Sequence, residues 1–70
     1  MMPLNLANNG EENIILKVGG SAEVKKHLED MGFVTGGTVT VLNTINGNLI
    51  VKVKESRVAI SREMAGKIMI

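Results

Sequence analysis

Seventy residues make a single domain over 1–70, and with no cysteine among them its core must come from aliphatic packing, without a disulfide or a cysteine-rich zinc site. Eight basic residues against seven acidic ones leave a net charge of +1, a balance that argues against binding a polyanion by bulk electrostatics. Phe33 is the sole aromatic residue, which argues against a base-stacking nucleic-acid surface and against an aromatic-lined groove for proline-rich peptides.

The first ten residues read as irregular, since Pro3, Asn8, Asn9 and Gly10 are turn formers. Leu4 and Leu6 are placed to tuck this segment onto the body. Asn13 to Val18 then reads as a strand, with Ile14, Leu16 and Val18 on one face and Ile15 and Lys17 on the other. Gly19 and Gly20 stop it. A helix over residues 21–31 follows, because Val24, Leu28 and Met31 recur at the spacing of one helical stripe. Ser21 is its N-cap, although Val24 stands where a capping-box carboxylate would be.

Gly32 fits the position after the helix, where a left-handed backbone is cheap for a residue without a Cβ. Phe33 and Leu28 then occupy the two positions that touch in a Schellman ending. Gly36 and Gly37 turn the chain into a strand over Thr38 to Asn43, with Val39 and Val41 inward. A further strand runs from Leu49 to Lys54, with Leu49, Val51 and Val53 inward. Between them, Asn46-Gly47 has the form of a two-residue hairpin turn. Such a loop on a regular ladder would pair Val41 with Lys52 and mix core with solvent. A three-residue loop, Ile45 to Gly47, is therefore predicted, pairing Val41 with Val51 and Val39 with Val53.

Arg57 to Ile60 forms a short strand, Ser61 to Gly66 a single helical turn, and Lys67 to Ile70 a last strand. The expected fold is mainly β, a small, strongly curved five-stranded barrel with one inserted helix and one helical turn near the C-terminus. Closure of such a barrel would hide its edge strands. No apolar run approaches the roughly 20 residues that a spanning helix needs. The start, MMPLNLANNGEE, also lacks the basic region and long apolar stretch of a secretory signal. A cytoplasmic protein with no membrane insertion is the expectation.

Catalytic groups are scarce. One histidine is present, no serine has a base near it in sequence, and KVGGSAEVK lacks the spacing of a phosphate loop. No enzyme, no catalytic residue and no cofactor are expected. Glu23, His27 and Asp30 share one side of the helix, and imidazole with carboxylate suits a divalent transition metal. The simpler account of Glu23 and His27 is a solvated polar face, so no metal site is assigned. For contact with a partner protein the candidates are Met31 and Phe33 at the helix end, and Lys52, Lys54 and Arg57 on a basic strand face.

Taken together, PLNLANNGE, LEDMGFVTGGTVTVL, the Asn46-Gly47 hairpin and RVAISREMAGKIMI resemble the FeoA family, the small cytosolic component of bacterial ferrous-iron transport. The matching positions are Leu28, Met31, Gly32, Phe33, Gly36, Val39 and Val41, then Arg57, Ala59, Ile60, Ala65 and Ile68. Ser56 departs from the family's common Gly, and Asn48 from its common Asp or Pro. The resemblance implies an SH3-like barrel and a supporting role beside FeoB, a membrane protein with a cytosolic GTPase domain. It leaves open whether that role is regulation of the GTPase or assembly of the transporter. FeoA-like domains also occur fused to metal-dependent repressors, so the alternative is a regulatory module that binds a divalent ion or a regulator segment. Nucleic acid is not an expected partner, and self-association is expected to be weak at most.

Overall fold

A computed structural model describes residues 1–70. In chain order the elements are a 3-10 turn at Leu4–Leu6, β1 at Glu12–Ile14, β2 at Lys17–Val18 and α1 at Ala22–Asp30. There follow β3 at Thr38–Ile45, β4 at Asn48–Val53, β5 at Ser56–Ser61, α2 at Arg62–Ala65 and β6 at Ile68–Met69. A four-stranded antiparallel sheet runs β1-β3-β4-β5, and β2 pairs with β6 in a second sheet. Pro3 bridges to Met69 and extends that second sheet by one position.

The strand predicted over Asn13 to Val18 is two strands, which raises the count from five to six. The Ile15 N–H donates to the Gly37 carbonyl at 2.8 Å, and the next amide, Leu16, donates to Met69 at 2.8 Å. The chain therefore changes sheets between these two residues. The change resets the alternation of faces. Ile15 and Val18, three apart, are buried, whereas Ile14 and Leu16, expected to share a face with Val18, are 59% and 50% exposed.

The β3–β4 hairpin contains both predicted pairs, Val39 with Val53 and Val41 with Val51. Its loop, however, has two residues and not three, because Ile45 pairs with Asn48. Asn46 at φ 50° and Gly47 at φ 82° supply the two successive left-handed residues that a type I′ turn requires. The odd residue sits instead within the strand, at a register shift between Val41 and Asn43 that leaves Leu42 unpaired. A bulge moves the register by one. It lets the Asn-Gly turn coexist with valine-on-valine pairing, which a regular ladder would forbid.

Helix α1 begins and ends by local rules. The Ser21 hydroxyl accepts from the Val24 N–H at 3.2 Å. At the other end the Gly32 N–H donates to Glu29 at 2.9 Å and the Phe33 N–H to Leu28 at 3.0 Å. These are the two bonds of a Schellman ending, and Gly32 adopts the φ of 110° that it needs. Phe33 is thereby turned inward, and it joins Leu28 in the core. Val24 and Met31 pack against that core from the same helix face.

Thirteen apolar residues form the core, drawn from every element except β1. Leu49, Val51 and Val53 of β4 face it as predicted, and so does Ile60. Helix α2 is capped by the Ser61 hydroxyl, which accepts from the Met64 N–H at 3.1 Å. In the N-terminal segment Leu4 is buried, while Leu6 faces solvent. No helix is long and apolar enough to cross a membrane.

Candidate functional site

Helix α1 turns its stripe inward, so Glu23, His27 and Asp30 lie on its exposed side. Glu23 sits in the first turn, where free N–H groups favour negative charge, and His27 sits in the last turn. The structure contains no group of three or more His, Cys, Asp or Glu side chains arranged to hold a metal ion. Glu23 and His27 are therefore two donors one turn apart, with no third ligand to complete a set.

The sheet does more with its charges. Registers across the four strands place Glu12 opposite Thr40, Thr40 opposite Lys52, and Lys52 opposite Arg57. These residues make one row on the outer face, because their strand neighbours Val39, Val41, Val51 and Val53 point into the core. Glu12, Lys52 and Arg57 are exposed, and Thr40 is half-buried. Lys52 and Arg57 are like charges set directly opposite, an arrangement that works against the sheet. The row's acid, Glu12, stands two strands beyond Lys52, about 10 Å away by the usual strand spacing.

Lys54 belongs to a different setting. It lies in the turn between β4 and β5, with the left-handed φ of 55°. Its stem passes over Gly32, where an added methyl group would sit 3.6 Å from Lys54 Cδ. The stem therefore lies against the residue that ends α1.

The five residues proposed for partner contact thus separate. Phe33 has no exposed surface and is a core residue, because the Schellman ending aims it inward. Met31 is half-buried as the C-cap of α1. Lys54 lies across the helix end, and Lys52 and Arg57 form an exposed cationic pair. That pairing escaped the sequence pattern because Lys54-Glu55 carries none of the Gly or Asn signals of a two-residue hairpin. The alternation on both sides of it was the available signal. The surface offers no pocket.

A curved sheet of short strands, completed by a small second sheet and a helix inserted before β3, defines an SH3-like domain. A FeoA of Stenotrophomonas maltophilia, crystallised with zinc and described as a prokaryotic SH3 domain protein, shares this fold. It superposes with a TM-score of 0.85 at 20% identity, over 99% of this chain and 88% of that one. The crystal structure of an iron uptake regulatory protein (FeoA) matches with a TM-score of 0.87 at 30% identity, covering 96% of this chain and 89% of that chain. In sequence the chain is 37% identical, over its whole length and 85% of the relative, to a protein of Methanocaldococcus jannaschii named "Putative Fe(2+) transport protein A". Residues 2–70 match the FeoA domain family, and the chain belongs to that family.

Proposed function

We propose that this protein is a non-catalytic accessory of ferrous-iron uptake, which acts in the cytoplasm by contact with the cytosolic part of a FeoB-type membrane GTPase. The observation that carries the reading is the family match across residues 2–70. The 37% identity to a protein named for Fe(2+) transport points the same way. A pocket-free surface with a charged strand face suits a protein contact better than it suits turnover of a small molecule. The test is calorimetry with the cytosolic region of the FeoB-type protein from the same organism, with and without guanine nucleotide. Binding in either state is the expected result, and no heat in both would overturn the reading.

A regulatory module with a divalent ion on α1 is the second reading, favoured by the zinc found with the Stenotrophomonas maltophilia protein. Glu23 and His27 would be its donors. Two donors on one turn leave most of a coordination sphere to solvent, so the fit to a resident ion is poor. Titration with Fe(II), Zn(II) and Mn(II) tests it, since equal binding by the parent protein and His27→Ala removes these donors from consideration.

A further inference from the structure

The four-stranded sheet does not close on itself, so β5 is left as an edge. Val53 and Ser56 flank the two-residue turn and form the first bonded pair of the β4–β5 ladder. Bonded and non-bonded pairs alternate from there. Ser56, Val58 and Ile60 therefore bond to β4, and the Arg62 N–H, donating to Gly47 at 3.2 Å, continues the same alternation. Arg57 and Ala59 turn their N–H and C=O groups the other way. None of those groups has a backbone partner in the turns, loops or caps, and both residues are exposed. Unpaired strand edges of this kind template the addition of another strand.

The charge beside this edge selects what can be added. Lys52 and Arg57 face each other with no acid between them, and the row that contains them ends at Arg57. The next place in that row belongs to whatever strand lies against β5. An acidic residue there would stand directly opposite Arg57, the position at which opposite charges stabilise a sheet. A second copy adding through its own β5 would instead gather two Arg57 and two Lys52 on one face.

We propose that the free edge of β5 binds an extended acidic segment of a partner protein, which adds as a fifth strand to the sheet and sets a carboxylate opposite Arg57. This deepens the proposed contact with the membrane GTPase and rests on that reading for the partner's identity.

The test uses the full chain, labelled with nitrogen-15, and a capped peptide of sequence Ser-Glu-Val-Glu-Val-Glu-Ser, with a control in which lysine replaces each glutamate. Amide shifts and slowed hydrogen exchange at Arg57 and Ala59 are expected with the acidic peptide alone. Ala59→Pro removes an N–H that points outward, so it spares the ladder and blocks the edge. Should that variant fold poorly, Lys52→Glu/Arg57→Glu keeps the edge and reverses its charge. Each variant should weaken binding by about tenfold or more. The inference is overturned by the absence of shifts with the acidic peptide, by equal binding of the lysine peptide, or by self-association that Ala59→Pro abolishes. Calorimetry of Ala59→Pro with the cytosolic GTPase region separates the two proposals. Retained binding there removes the edge while the partner stands, and peptide binding without GTPase binding does the reverse.

Discussion

Three glycines between Gly32 and Gly37 serve two different needs. Gly32 and Gly36 have φ of 110° and 90°, so handedness is the constraint at both. Gly37 has no such φ, but a Cβ there would lie 3.1 Å from the Val34 carbonyl oxygen, so close approach is the constraint. At Gly32 the nearest neighbours of an added Cβ are at 3.6 Å, so space is available and only the backbone objects. Gly32→Ala should therefore cost about 1–2 kcal/mol, the strain of a left-handed L-residue. Urea denaturation measures it, and a loss below about 0.3 kcal/mol would show that the helix ending relaxes without penalty. Phe33→Ala should be far worse, about 3–5 kcal/mol, because the ring is fully buried. Gly32, Phe33 and Leu28 were legible in the sequence because a Schellman ending is a code written in consecutive residues. The same code is what removes Phe33 from the candidate contact surface.

At the scale of elements, what was legible depended on whether the signal was local. Ser21 and Ser61 were readable as caps, and both hydroxyls accept the expected backbone bond. Ser21→Ala and Ser61→Ala should each cost about 1 kcal/mol. The double variant should lose their sum to within about 0.5 kcal/mol, since the two helices share no capping partner. Thermal and urea unfolding of the three variants check this, and a double variant no worse than either single one would mean that the caps are coupled. The split of the first strand was not legible, because Ile14, Ile15, Leu16 and Val18 are all apolar and periodicity cannot mark a change of sheet among them. The Leu42 bulge escaped for a related reason. Pattern alone set an Asn-Gly turn against valine pairing, and an extra residue in the strand settles that conflict as well as one in the loop. The cationic pair at Lys52 and Arg57 depends on the β4–β5 turn, so it became visible only with the register.

At the scale of the molecule, the two ends of the chain are joined. Met2 and Ile70 exchange backbone hydrogen bonds at 2.9 and 2.8 Å, and Pro3 bridges to Met69 next to them. The 3-10 turn that follows buries Leu4 in the same core as Ile68. The first residues therefore supply both a strand-like partner to β6 and a core side chain, although composition presents them as an irregular extension. A domain of this length has about 3.5–10 kcal/mol of stability in all. Leu4→Ala should remove about 2–5 kcal/mol of it, as other buried leucines do. Removal of residues 1–6 should cost more than the point variant, because it also strips the outer hydrogen bonds from the β6 segment. The two variants and the parent protein can be ranked by guanidinium midpoint and by amide exchange at Ile68 and Met69. The expected order is parent, Leu4→Ala, then the deletion, with exchange at β6 fastest in the deletion. Were the deletion as stable as Leu4→Ala, the stabilisation would lie in one side chain, and the pairing of the two ends would contribute nothing measurable.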